Sequence, residues 1–318
     1  MFLAPLVRCS RRLNNVVGPL LYRTFTQSLT KPASLPNLLR MVMEKPAVGA
    51  EIKNLVLMEP YFHEGLSMSS YLPQDFDRCI FAIRSFEISI NKMNWIQTIG
   101  RGEWDAVVAL LLFYTPSLEG IKIASSGLSH YIYLNQICLH IALNQRIRNP
   151  IGQAHSLEKL RNYSIDHRGP SPRIGIRTIL PWCAVLSMHT IRIAMLEQED
   201  DWDPSPFPKQ YHVQNLRITN SSVDGMIMRT LLGRFVSLQK FYYHHGSAEL
   251  TDFIFQAIGE GLAHLHDSLE ELVLLGTLRD VLSGDLGREP VGSLAEFTKL
   301  RCIGTEAEVL FGPDNYVW

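Results

Sequence analysis

Apolar positions recur along this chain in one short pattern: an apolar residue, two variable residues, an apolar residue, one variable residue and a third apolar residue. Ile52, Leu55 and Leu57 carry it first, followed by Leu118/Ile121/Ile123, Leu160/Tyr163/Ile165 and Met188/Ile191/Ile193. Val213/Leu216/Ile218, Leu238/Phe241/Tyr243, Leu269/Leu272/Leu274 and Phe297/Leu300/Cys302 complete the set. The last two apolar residues of each copy alternate, so in an extended strand both side chains point to one face. From Tyr163 to Leu300 the middle position returns every 25 to 31 residues, the period of stacked strand–helix units. The earlier intervals, 55 to 121 and 121 to 163, are longer and leave room for an irregular unit or an insertion.

Between the copies, apolar residues are spaced by three and four, which marks one buried helix face. Residues 35–44 offer Leu35, Leu38, Leu39 and Val42, and residues 104–114 continue the theme. Residues 132–144 offer Ile137, Ile141 and Ala142; residues 224–235 offer Met228, Leu231, Leu232 and Phe235; residues 250–265 run from Phe253 to Leu265. A strand and a helix in each unit predict an α/β fold of the leucine-rich-repeat type. That is a solenoid with parallel strands on the concave face and helices on the convex face, presenting a broad surface to a partner. The variable residue between the two strand positions then points to the concave side. Those residues are Val56, Lys122, Ser164, Arg192, Arg217, Tyr242, Val273 and Arg301; four are basic, one is Tyr and none is acidic. Lys122, Arg192, Arg217, Tyr242 and Arg301 are therefore the candidate binding residues, expected to recognise an acidic or phosphorylated segment of a protein partner.

The N-terminal stretch LVRCSRRLNNVVGPLLYRTF contains Leu6, Cys9, Arg11, Arg12, Leu13, Pro19, Leu20, Leu21, Tyr22 and Arg23. It resembles the C-terminal part of an F-box, in which an Arg-rich step precedes a helix ending in Leu-Tyr-Arg. The continuation LPNLLRMVMEKPAVGAEIKNLVLM and the ending SLAEFTKLRCIGTEAEVLFGPDN are similar to the first and closing repeats of the fungal F-box and leucine-rich-repeat proteins. The resemblance implies a short helical F-box remnant over 1–30, with Leu6, Cys9, Leu13, Pro19, Leu20 and Tyr22 in it, and a repeat domain over 31–318. It also implies the role of substrate receptor in an SCF-type ubiquitin ligase, the F-box docking on the SCF adaptor and the repeats holding the substrate. The acidic, Leu-Pro-initiated first helix of an F-box has no counterpart here, so the expectation is a chain truncated at one or both ends. A repeat scaffold without a ligase role stands beside the receptor reading.

Composition alters this picture little. Hydrophobic residues make up 46% and charged residues 19% of 318, with formal net charge −1; a large core is expected, and no global attraction to nucleic acid. The first 43 residues lack Asp and Glu and carry Arg8, Arg11, Arg12, Arg23, Lys31 and Arg40, so a cleaved organellar presequence is a further alternative. No apolar run approaches the roughly 18 residues of a membrane span, so no membrane partner is expected. Cys9, Cys79, Cys138, Cys183 and Cys302 are dispersed. They read as reduced, mostly buried thiols of a cytoplasmic or nuclear protein, with mitochondria as the minor alternative.

Motifs for chemistry are missing. No phosphate-binding glycine loop, nucleophile elbow or H-E-x-x-H helix occurs, so the chain is expected to have no catalytic residues, cofactor or metal. Adjacent strand residues face opposite ways, so His244 and His245 do not chelate one ion. His264 and His266 fit the end of a helical segment. The acidic run from Glu197 to Asp201, followed by Trp202-Asp203-Pro204-Ser205-Pro206-Phe207-Pro208, reads as a solvated, proline-stiffened insertion near 197–208.

Overall fold

The computed structural model describes residues 20–27, 33–60, 73–126, 131–147, 157–167, 174–198, 202–246, 255–276, 290–305 and 309–310. Its architecture is α/β, with parallel strands and helices, and it divides into two compact units. The first comprises Met1–Ser164 and Arg168–Pro170, the second Ile165–His167 and Ser171–Trp318.

In the first unit, β1 (Thr24–Thr26), α1 (Ser34–Glu44), α2 (Pro46–Glu51) and β2 (Asn54–Met58) are followed by three helices. These are α3 (Pro73–Ser85), α4 (Lys92–Gly100) and α5 (Trp104–Phe113). Then come β3 (Gly120–Ser125), α6 (Ile132–Ile147) and β4 (Asn162–His167), whose last three residues belong to the second unit. β1, β2 and β3 pair in parallel in that order, with Thr26, Val56 and Lys122 on one rung. The long interval between the first two sequence copies is thus filled by α3 and α4, two helices the apolar spacing did not announce. β1 is also unannounced, since Phe25 is its only apolar residue, and it lies inside the 1–30 segment expected to be helical.

Helix α5 goes further than an amphipathic face. Every residue from Ala106 to Leu112 is fully buried, so the helix is core on all sides. Trp95 of α4, also fully buried, donates its indole N–H to the Ala106 carbonyl at 3.0 Å. Helix α2 comes close to the residue that follows α5: a Cβ on Gly49 would stand 1.9 Å from the Tyr114 carbonyl oxygen.

The second unit carries β5 (Ile174–Gly175), α7 (Leu180–Ala184), β6 (Thr190–Ala194), β7 (Leu196–Glu197) and β8 (Asn215–Ser221). It continues with α8 (Gly225–Leu232), β9 (Lys240–His245), α9 (Phe255–Leu262), β10 (Glu271–Gly276) and β11 (Cys302–Thr305). β6, β8, β9, β10 and β11 pair in parallel in that order, and β5 pairs with β7 apart from them. Alternation decides burial here: Ile191 and Ile193, Leu216 and Ile218, Phe241 and Tyr243, Leu272 and Leu274 are all at most 2% exposed. Asp224 caps α8 by accepting from the backbone N–H of Met226 and Ile227. Between β6 and β8 the Pro-rich stretch replaces a helix, Asp203 accepting from both the backbone N–H and the hydroxyl of Ser205.

One backbone device recurs at seven of the described strand starts, those of β2, β3, β4, β8, β9, β10 and β11. The carbonyl just before a strand accepts from two successive N–H groups at the start of the next. In the first unit Arg23 receives Lys53 and Asn54, Lys53 receives Glu119 and Gly120, and Glu119 receives Arg161 and Asn162. In the second, His189 receives Gln214 and Asn215, Gln214 receives Gln239 and Lys240, Gln239 receives Glu270 and Glu271, and Glu270 receives Arg301 and Cys302. All lie between 2.7 and 3.2 Å. A carbonyl has two lone pairs, so each of these oxygens satisfies two donors and ties down the start of the strand beside it.

The eighth copy is corrected by that register. Cys302 pairs with Glu271 and Ile303 with Leu272, so the strand's apolar frame is Leu300, Ile303 and Thr305, three residues beyond Phe297/Leu300/Cys302. The eighth copy ends in Thr305, which carries no apolar signal, whereas the preceding triplet is apolar throughout. Arg301 accordingly precedes β11, and Gly304 takes the rung position expected of it.

Candidate partner-binding strand face

The side chains between the buried strand positions point away from the core. In the second unit the central rung runs Arg192, Arg217, Tyr242, Val273 and Gly304 across five strands. Arg192 and Arg217 are exposed; Tyr242 and Val273 are half-buried. The Arg217 guanidinium lies over the Tyr242 ring, 4.2 Å from its centroid. Among the described residues neither arginine has a carboxylate partner. The rung one step toward the strand starts is Thr190, Asn215, Lys240, Glu271 and Cys302. There Lys240 is matched by Glu271 at 2.8 Å, which raises its pKa. Charge is therefore compensated on β9 and β10 and uncompensated on β6 and β8.

Of the five residues chosen from the sequence, the fold brings Arg192, Arg217 and Tyr242 onto one rung of the second unit. Lys122 is exposed on β3 of the first unit, on the rung of Val56. Arg301 stands outside the strand and pairs with Glu270 at 3.2 Å. Val273 and Leu275, both half-buried, add an apolar border on β10. Of the F-box-like residues, Leu6, Cys9, Leu13 and Pro19 lie outside the described residues. Leu20 and Tyr22 are exposed, at 54% and 39%.

A second polar cluster, in the first unit, was invisible in the sequence. Glu59, 4% exposed, follows β2. Its Oε2 accepts from the Ser125 hydroxyl at 2.9 Å, the Ser126 N–H at 2.7 Å and the Tyr131 hydroxyl at 2.9 Å. Gln27, after β1, accepts from the Met58 N–H and the Trp104 indole, both at 3.2 Å. Asp105, at the start of α5, receives the N–H groups of Tyr133 and Leu134 and so caps α6. These partners are 28 to 77 residues apart in the chain, and no local spacing encodes them. Gln27, Asp105 and Glu59 Oε2 each hold donors and stitch strand ends and helix starts together, whereas the other Glu59 oxygen, Oε1, is buried with no hydrogen-bond partner among the described residues.

Burial pushes the Asp105 carboxyl up to about 7, the two helix N–H bonds opposing it and Glu59 and Glu103 adding to the rise. An unfolded Asp ionises near pH 3.9, so the folded form holds its proton over a range where the unfolded form has lost it. Stability from this group is complete below about pH 4 and is lost as pH rises toward 7, by at most about 1.4 kcal/mol per pH unit. Asp105→Asn keeps one of the two accepting oxygens of the cap and removes the titration, so the variant is expected to be less stable at every pH but to have a different slope. Urea unfolding from pH 5 to 8 is expected to show a shallower decline for the variant; parallel profiles would discount this account of Asp105.

Among the described residues no cluster of three His, Cys, Asp or Glu side chains suits a metal ion. His244 and His245 are the last two residues of β9, and His245 Nδ1 meets the Tyr243 hydroxyl at 3.0 Å. Cys79, Cys138 and Cys183 are buried free thiols, their pKa raised by desolvation. Cys302 is exposed. No described helix is long and apolar enough to cross a membrane. Comparison of the chain with protein-family models, curated proteins and solved structures finds no match.

Proposed function

We propose that the chain is a leucine-rich-repeat interaction module, a solenoid whose outward strand face receives a protein partner, in the manner of the substrate-recognition subunit of an SCF-type ubiquitin ligase. The observation that carries the reading is the Arg192–Arg217 rung. Two arginines stand in register on neighbouring strands, whose backbones run about 4.8 Å apart, and neither has a carboxylate partner among the described residues. At about 5 Å in water two like charges repel by about 0.8 kcal/mol, and by more where water is excluded. A surface that keeps such a pair beside a half-buried tyrosine, while neutralising Lys240 one rung away, is arranged for an acidic partner. Tyr and Arg are also the side chains that most often dominate binding energy at interfaces.

The repeated carbonyl device supports the repeat reading, since each unit offers the same two-donor connection to the next. The exposed Leu20 and Tyr22 support adaptor docking at the N-terminal segment, because apolar side chains left in water favour a covering surface. The test is affinity capture with the full chain, followed by identification of bound proteins and of adaptor. Wild type is expected to retain both a partner and the adaptor. Leu20→Asp with Tyr22→Asp is expected to lose the adaptor alone, and Arg192→Glu with Arg217→Glu the partner alone. Retention of every bound protein by the arginine variant would refute the strand-face reading.

A further inference from the structure

Building on the strand-face reading, we infer that the partner presents a phosphorylated side chain between Arg192 and Arg217, with an apolar side chain three or four residues away seated on Val273 and Leu275. Covering two guanidinium groups without supplying anions costs their hydration and intensifies their repulsion. One carboxylate neutralises one arginine. Two adjacent carboxylates neutralise both but repel each other as the arginines do. A phosphoryl group carries about −1.5 to −2 charge at neutral pH on a single centre, and its three oxygens accept from two guanidinium forks at once.

The neighbours fit that geometry. Tyr242 holds Arg217 from one side by its ring face, which restrains the fork toward the rung before a ligand arrives. Thr190 and Asn215 on the adjacent rung are polar, with Asn215 Nδ2 3.5 Å from the Thr190 hydroxyl, so no acidic residue stands on β6 or β8 to compete for the arginines. Beyond Tyr242 the outward face turns apolar at Val273 and Leu275. From the midpoint of β6 and β8 to β10 is two and a half strand spacings, about 12 Å, and an extended peptide covers it in three or four residues. The rung thus reads as anion site, aromatic spacer and apolar site, in that order.

The probes are four fluorescent decapeptides with an otherwise common glycine–serine–alanine background. They carry phosphoserine with leucine, glutamate with leucine, serine with leucine, or phosphoserine without leucine, the leucine being placed at both +3 and −3. Polarisation titrations with the full chain are expected to give at least tenfold tighter binding for phosphoserine–leucine than for the glutamate or serine peptide. Arg217→Gln should lose at least tenfold, and Val273→Ser should remove the advantage of leucine while leaving the phosphoserine preference. Equal binding of glutamate and phosphoserine peptides overturns the inference, as does binding untouched by Arg192→Gln and Arg217→Gln, or equal affinity for a random RNA 12-mer. If any of these occurs while the arginine-dependent partner capture described above persists, the strand face remains a protein-binding surface and only its phosphoryl chemistry falls.

Discussion

Replacing Arg192 and Arg217 together by glutamate is expected to weaken partner binding by at least about 100-fold while leaving the unfolding midpoint within a degree or two of wild type. Truncating a residue that anchors an interface typically costs about 2 kcal/mol or more, and about 1.4 kcal/mol is tenfold in affinity. Reversal adds repulsion against an anionic partner to that loss, so even if the two sites are not additive the pair passes about 100-fold. Both side chains are exposed and, among the described residues, have no carboxylate partner, so removing them takes little from the fold. The one intramolecular contact given up is that of Arg217 with Tyr242, worth about 0.5–1 kcal/mol at an exposed site. The two glutamates repel each other much as the arginines did, so that part of the balance is unchanged. A titration calorimetry comparison, with thermal unfolding run in parallel, separates the two effects.

The second large effect is on stability and runs against ordinary helix propensity. Alanine for glycine within a helix usually stabilises by up to about 1 kcal/mol. At Gly49 and Gly259 the sign is expected to reverse. An added Cβ would meet the Tyr114 carbonyl oxygen at 1.9 Å in the first case and the Val291 carbonyl oxygen at 1.8 Å in the second. Both obstacles are backbone, so no rotamer change relieves them. Residue 291 is tied further by its N–H to the Val309 carbonyl at 2.8 Å, and α9 cannot retreat without breaking its own packing through Ile258 and Leu262. Overpacking of this kind costs about 1–3 kcal/mol and occasionally more, which outweighs the propensity gain. Gly49→Ala and Gly259→Ala should each lower the urea midpoint, whereas Gly233→Ala, with its nearest neighbour at 3.3 Å, should change it far less. A stabilised Gly259→Ala protein would mean that α9 sits further from residue 291 than described.

The strands were readable because alternation is a local property. Leu55 and Leu57, or Phe241 and Tyr243, announce a buried edge within three residues, and a short repeat spacing leaves few other ways to arrange them. Where the last position became Thr305, the same reading slipped to Leu300 and Cys302 and moved Arg301 into a rung it does not occupy. Helices α3 and α4 were missed for a different reason: their length falls between two recognisable copies, and their apolar residues include half-buried and exposed ones such as Phe81 and Met93. The outward rung followed from the strand frame, so Arg192, Arg217 and Tyr242 were accessible to inspection of the sequence. That Lys240 is neutralised while those arginines are not depends on which strands are neighbours, and only the register reveals it. The cluster around Glu59 and Asp105 joins groups from distant parts of the chain, and no spacing rule reaches that far.

A partner is expected to bind the outward rung of the second unit. A photoreactive benzoylphenylalanine placed at Tyr242, and in a second protein at Met226 on the exposed side of α8, tests it most directly. Irradiation of the captured complex should attach the partner to position 242 and leave position 226 unattached. Attachment at 226 with none at 242 would contradict the account and move the binding surface to the helices.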